Sequence, residues 1–599
     1  MIFFSVISGT PERVQGAYQD TVTGIAREAG FTDGKLRSHL SSDRHWAVVS
    51  YGAPDPLAGQ RLVMSPSGCV IVNGPLTEFD GARGDEAISR LSNALQAESI
   101  DAVYQRMSGS FAVGGYLRQH GHFGFSDFSG LTPNYWAKRD GLTVIGNKPG
   151  IVALGLGESA PDMRALSWLI GHANIFGTAT PLAGVHQIEP ETLIRARRGL
   201  YPGVSALPGI WPDRDAVLTG NVSDAEWDEI THHLVENTRA SLACFDTAKL
   251  GLTGGKDSRL VLALASAVRD KSGIETFTNG YADNPDVETA IHVARYFGVR
   301  HTVIAPKSGP AAASTVFWSK LAAHCARFDS LICPWDGLSE NLTGTQTVFT
   351  GFGGELFRGS HVVALKNAPP NSVQEAQAAW KSNYHQPFDP LKLLRPVHIA
   401  YQRAWLDDWI ADNPDHLTVL PEKFYVFNRL GHSTGPLMQF VPGRIKLSPL
   451  LSRQAARQFF RFSREIRIAE MLNYQVIRRL APELNAIPYM KQVWSPMVLA
   501  LDPDLPDKPF PNTQAVSAAS VAPAQFRFLT DEAENIIAFL RQANRETAID
   551  GIFDVEGAVA ALESGAALKS TVNAKTIFSC LAIAFRLLGK GVPPQDRLL

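Results

Sequence analysis

The stretch AKLGLTGGKDSRLVLALAS, Ala248 to Ser266, decides how this chain is read. It runs from a short apolar strand through a turn with two adjacent glycines into an amphipathic helix opening at Asp257 and Ser258. Strand, glycine turn and helix start make an anion site, because the first helical N–H groups lack partners within the helix and the macrodipole favours negative charge there. A Walker A loop, G-x-x-x-x-G-K-[ST], carries its first Gly six residues before the Lys and a Ser or Thr directly after it; Leu250 stands at the first place, with Gly251 one position late, and Asp257 follows Lys256. An acid in that place repels a γ-phosphate unless a cation intervenes, so the loop suits a metal–pyrophosphate. The dinucleotide pattern G-x-G-x-x-G is absent from the turn.

Working outward, the runs "AKLGL", "ETFTNG", "HTVIA" and "TVFTGF" alternate with helical patterns, which predicts a doubly wound parallel sheet with helices on both faces. A helix "DAEWDEITHHLVENTRASLACF" precedes it, behind the aperiodic linker "WPDRDAVLTGNVS", whose last Ser is an N-cap. Upstream, "MIFFSVISGT", "HWAVVSYG", "GCVIVNG", "SFAVGGYL" and "LTVIGNK" read as short strands of stacked antiparallel sheets. From about residue 360 the pattern is mainly helical. The class is therefore α/β, with an antiparallel β-sandwich domain over 1–210, a parallel-sheet domain over 222–520 and a helical C-terminal extension over 521–599.

The 599 residues are 45% hydrophobic and 19% charged, enough to pack several cores, and a net charge of −2 gives no electrostatic case for nucleic acid or an anionic membrane. Five scattered cysteines, Cys69, Cys244, Cys325, Cys333 and Cys580, form no C-x-x-C pair or zinc spacing, which points to a reducing, cytoplasmic compartment. The apolar start lacks a basic n-region and reads as a strand, and "TIFSCLAIAFRLL" is too short to span a membrane and reads as a buried helix. The pair His232-His233 has no helical His partner at metal-binding spacing, and Arg429 and His432 suit core packing as well as a cleft.

In a doubly wound sheet, ligands sit beyond the carboxyl ends of the strands. Three segments meet there: Thr253-Gly254-Gly255-Lys256-Asp257-Ser258; "TFTNGYADNPDVETA", with Asn279 at a strand end and Asp286 on the next helix; and "FTGFGGELFRGS", with Gly351, Gly353, Gly354, Glu355 and Arg358. The glycines are expected to admit a nucleotide's close approach, and Asp257 and Glu355 to supply hard oxygen ligands for Mg²⁺ held chiefly by pyrophosphate.

"TGGKDS" resembles the pyrophosphate loop S-G-G-x-D-S of the asparagine synthetase family, with Thr253 for the first Ser. "FTGFGGE" falls where that family has S-G-E-G-x-D, and "SGSFAVGGY…GFSDFSGLTPNYWAK" is similar to its G-x-F-A-F…R-D-x-x-G-x-x-P-L-Y-Y run. The resemblance implies a glutaminase-like (Ntn-type) N-terminal domain and an ATP-pyrophosphatase synthetase domain using ATP and Mg²⁺, with Lys491 in "APELNAIPYMKQVWSP" at the place of the transition-state lysine. Two departures stand out. Residue 2 is Ile where the glutaminases expose a Cys nucleophile, so glutamine hydrolysis is excluded on chemistry, and Phe352 stands where the family has its acidic base.

This combination resembles the lasso-peptide cyclases, which implies adenylation of a peptide Asp or Glu side chain and attack by the N-terminal amine to close a macrolactam. The implied partners are a precursor peptide, a leader peptidase and a precursor-recognition protein. A small-molecule lactam synthetase or an ammonia-dependent asparagine-type synthetase is the alternative within the class, and a non-catalytic precursor-binding scaffold the alternative outside it.

Overall fold

Strand Ile2–Ser8 buries both faces: Phe3 and Ile7 join one core, while Phe4 and Val6 join another between two sheets. This two-residue period places it inside a layered stack. It lies in a six-stranded antiparallel sheet ordered Val185–Ile188, Asn134–Arg139, Leu142–Gly146, Ile2–Ser8, Trp46–Gly52, Lys35–Leu40. A second antiparallel sheet of six strands runs from Gly203–Ala206 through Ala112–Leu117 to Leu62–Ser65. The sheets approach closely where glycine faces phenylalanine: a Cβ on Gly114 would stand 2.7 Å from the Phe4 ring.

The structure, a computed structural model, describes all residues except 1, 31–33, 53–60, 158, 198–201, 244, 246–247, 282–283, 306–313, 336–345, 360–369, 384–388, 441–443, 491, 511–523 and 590–599. Helices flank the two antiparallel sheets, which the expectation of bare stacked sheets omits. Pro11–Ala29 covers the first through Val14, Ala17 and Ile25, and Gly84–Ala97 covers the second through Ile88, Leu91 and Leu95. Strands buried on both faces require such a cover.

Asp224–Leu242 opens the next region behind Ser223, whose hydroxyl and the Glu226 carboxylate form a reciprocal capping box. The preceding linker is fastened at both edges of Thr219, which donates its N–H to Arg461 O and accepts from Ser463 N–H. The third sheet is five-stranded and wholly parallel, ordered Arg300–Ile304, Ile274–Asn279, Ala248–Gly251, Gln346–Phe349, Arg444–Leu447. Chain order reverses between Ala248–Gly251 and Gln346–Phe349, so the crevice outside their carboxyl ends is the topological switch point. The fifth strand corrects the mainly helical reading past residue 360: "RIKL" is four residues long and alternates charge with apolar side chains, too short a run to signal a strand amid helices.

Four helices, Ala524–Asp531, Ala533–Glu546, Val555–Glu563 and Thr571–Leu587, close the described chain. The last is buried almost all round, shares a core with Phe3 and Ile7, and packs on Met163–His172. None of the described helices is long and apolar enough to cross a membrane.

Candidate functional site

The helix after the glycine turn spans Lys256–Val268 with Gly255 as N-cap, one residue earlier than the sequence suggests. Gly255 supplies no capping side chain, so the first-turn N–H groups of Lys256, Asp257 and Ser258 have no i−4 carbonyl within the helix. The turn is tied to itself and to its neighbours. Thr253 donates its N–H to Ser258 Oγ at 3.1 Å, Gly255 N–H donates to Thr253 Oγ1 at 3.2 Å, and Gly254 N–H donates to Asp286 Oδ1 at 2.7 Å. Asp286 is on the first turn of Pro285–Phe297, just past the strand that ends at the exposed Asn279.

Asp257 is the electrostatic centre. Arg358 Nη2 stands 3.2 Å from Asp257 Oδ2, and Asn473 Nδ2 donates to Asp257 Oδ1 at 3.2 Å. Burial pushes its carboxyl up to about 6 against the pull of Arg358, and the nearby Glu355 and Glu470 push the same way. Glu355 lies on the first turn of the short helix Gly354–Arg358 and accepts a hydrogen bond from the Tyr425 hydroxyl. Burial, and then Glu355, raise that phenol above its ordinary value. Tyr425 ends Leu420–Tyr425, directly before a π-helical turn, Val426–Thr434, an uncommon geometry found often beside functional sites.

Gly351, Gly353 and Gly354 hold the two strand ends together, where the sequence suggests contact with a nucleotide. A Cβ on Gly351 would lie 2.9 Å from both Asp257 Cβ and Ser258 N, and one on Gly354 2.5 Å from Asp257 Cγ. Gly353 has φ +84° and would meet Leu451 at 2.7 Å. The start of the helix already fills the space beside Gly351 and Gly354. Phe352 is half-buried against the parallel-sheet core, and its carbonyl accepts from Ser448.

The Lys256 side chain does not end at the loop. Its ammonium is buried, pairs with Glu470, donates to Val493 O at 3.0 Å and lies 4.6 Å from the Trp494 ring centre. Burial lowers this lysine from its ordinary value, and Glu470 opposes the shift. Arg259, one turn on, is fully buried and donates to the carbonyls of Leu484, Ile487 and Pro488. The sequence gives no sign of Glu470, Asn473, Tyr425 or Arg259. Glu470 and Asn473 have only an i, i+3 spacing in common, and no short motif carries it. Lys491 lies outside the described residues. His432 is buried on the π-helical turn, and His232 and His233 sit on Asp224–Leu242.

Among the described residues no group of three or more His, Cys, Asp or Glu could hold a metal ion. Asp257 and Glu355 are two hard carboxylates close enough to repel, which fits Mg²⁺ where phosphate oxygens supply the rest of its shell.

A family model described as asparagine synthase matches residues 233–479. The matched stretch takes in the parallel sheet, the glycine turn, Glu355, Tyr425 and Glu470, and this part of the chain is similar to an asparagine synthase domain. No curated protein matches the chain. Two solved structures align at low similarity. One, titled as the allosteric regulatory enzyme of purine biosynthesis, has 10% identity, 52% of this chain and 81% of that one covered, and a TM-score of 0.24. The other is a glutamine phosphoribosylpyrophosphate amidotransferase from B. subtilis with ADP and GMP, at 9%, 59%, 81% and 0.25. At these TM-scores neither bears on this chain's fold or function.

Proposed function

We propose that this protein is an AMP-forming macrolactam synthetase: it adenylates an Asp or Glu side chain of a processed ribosomal peptide and joins that carbonyl to the peptide's N-terminal amine. The observation that carries the reading is Asp257 at the switch point, set between the glycine turn and Glu355 and leaning on Arg358. Displacement at the α-phosphorus builds charge on the departing pyrophosphate, and donors already in place for that charge lower the barrier. The first-turn N–H groups and Arg358 are such donors. Asp257 and Glu355 would hold Mg²⁺, which supplies further neutralisation of the pyrophosphate. Lys491, by its place in "PELNAIPYMK", is assigned to the α-phosphate side.

The amine needs no strong base. An α-amino group has a reference pKa of about 7.7–8.0, so a good fraction is unprotonated near neutrality. Positioning supplies the rest, since ring closure is intramolecular only while the peptide is held folded.

Pyrophosphate release from ATP tests this with a panel of leader-processed peptides, with aspartate plus ammonia as the control. Peptide-dependent pyrophosphate and a product lighter than its substrate by one water support the cyclase. Release with aspartate and ammonia alone supports the small-molecule reading, and product formation unchanged by Asp257→Ala supports a scaffold.

A further inference from the structure

An ammonium has three N–H bonds, and those of Lys256 are spoken for by Glu470, the Val493 carbonyl and the face of Trp494. Although it lies inside the glycine loop, this lysine therefore has no donor to offer a phosphate. What it grips is a strap: residues 484–490 and 492–494 pass along the start of the Lys256–Val268 helix.

The strap is bound at several further points. Arg259 lies three residues on from Lys256, on the same helix face, and holds the carbonyls of Leu484, Ile487 and Pro488. Its guanidinium also lies 3.9 Å from the Tyr489 ring centre. Met490 N–H donates to Gly254 O at 3.3 Å, and a Cβ on Gly254 would touch Met490 Cβ at 2.7 Å. The loop and the strap are thus in direct backbone contact.

Glu470 carries a sign of what this arrangement costs. It has φ +58° and ψ +32°, a left-handed conformation that a long side chain adopts at some expense. There its carboxylate meets Lys256 and comes within 4.0 Å of Arg358, while Asn473, three residues on, reaches Asp257. One helix end thereby addresses both the strap lysine and the central acid.

We infer that Lys256 is a positioning residue for the ligase reaction, fixing the strap against the glycine loop through Glu470 and Val493, and is not a nucleotide ligand. The inference rests on the proposed function for its kinetic consequence, though not for its structural one.

Three measurements on the full chain test it: MgATP dissociation by calorimetry, pyrophosphate formation with the peptide substrate, and amide hydrogen exchange of residues 484–494. Lys256→Met should leave MgATP affinity within about threefold, lower kcat about 10- to 100-fold as expected for lost positioning, and speed exchange in the strap. Glu470→Gln should do the same, the two changes together should cost no more than the larger alone, and Lys256→Arg should recover part of kcat. A tenfold or greater loss of MgATP affinity with strap exchange unchanged would overturn the inference. If the unaltered protein forms no pyrophosphate, the proposed function fails, and binding with exchange still decides the role of Lys256. Should Lys256→Met fail to fold, Glu470→Gln carries the same comparison.

Discussion

Gly354 and Asp257 are packed so closely that a methyl group on the glycine would stand 2.5 Å from the Asp257 carboxyl carbon. Asp257 is thus seated against backbone on one face, and its carboxylate turns toward Arg358 and Asn473 on the other. Contact with Gly354 restricts the rotamer, and the Asn473 hydrogen bond and Arg358 complete the restraint.

Gly354→Ala is expected to push Asp257 off Arg358. Overpacking of this kind costs about 1–3 kcal/mol. Pyrophosphate release should fall much further than stability does. A melting curve beside a rate measurement separates the two, and a variant of ordinary activity would show that the seat is not needed.

Asp257 should destabilise the nucleotide-free protein while serving its reaction. Its carboxyl is raised from 3.8 to about 6, so the folded state binds more protons than the unfolded one between those values. Stability then falls as pH rises through that window, and the penalty is complete above about pH 7. Asp257→Asn should melt higher than the unaltered protein at pH 7.5, lose that advantage at pH 4, and form no pyrophosphate. Equal melting shifts at both pH values would refute this account.

Lys148 and Asp329 tie the antiparallel sheets to the segment after helix Ser314–Arg327. The ammonium lies 2.8 Å from Asp329 Oδ1, neither side chain is appreciably exposed, and Asp329 Oδ2 also accepts Gly150 N–H. Removing one member strands a buried charge, at a cost of about 3–5 kcal/mol. Lys148→Met should lower the denaturation midpoint sharply, and Lys148→Met with Asp329→Leu should recover part of the loss. A double variant worse than the single would contradict this.

Ser223→Ala removes the capping box at the start of Asp224–Leu242 and should cost about 1 kcal/mol. The cap is exposed and its side-chain hydrogen bonds run only between Ser223 and Glu226, so kcat should stay unchanged. A loss of activity beyond that of stability would mean that the helix conveys strain to the site.

The sequence reveals the parts of this fold that speak through local chemistry. Apolar runs bounded by turns mark four of the five parallel strands, and the Gly-Gly turn marks the switch point because only a strand passing into a helix start needs such residues there. Helix Gly84–Ala97 is harder to see: Ser92 interrupts an apolar face otherwise made of Ala87, Ile88, Leu91 and Leu95. Glu470 and Tyr425 belong to no motif, since they reach Lys256 and Glu355 from 214 and 70 residues away. Lys256 itself misleads, because its place in the loop suggests a phosphate ligand while burial and Glu470 direct it elsewhere.

Ile577, Phe578, Leu581 and Phe585 are packed into the same core as Phe3 and Ile7. Strand Ile2–Ser8 is therefore not fully covered until helix Thr571–Leu587, far downstream of it, has also emerged from the ribosome. During synthesis the antiparallel sheets must wait with one apolar flank open, a period in which a chaperone has something to hold. Folding of the first domain alone, stopped short of Thr571, should give a species prone to aggregate.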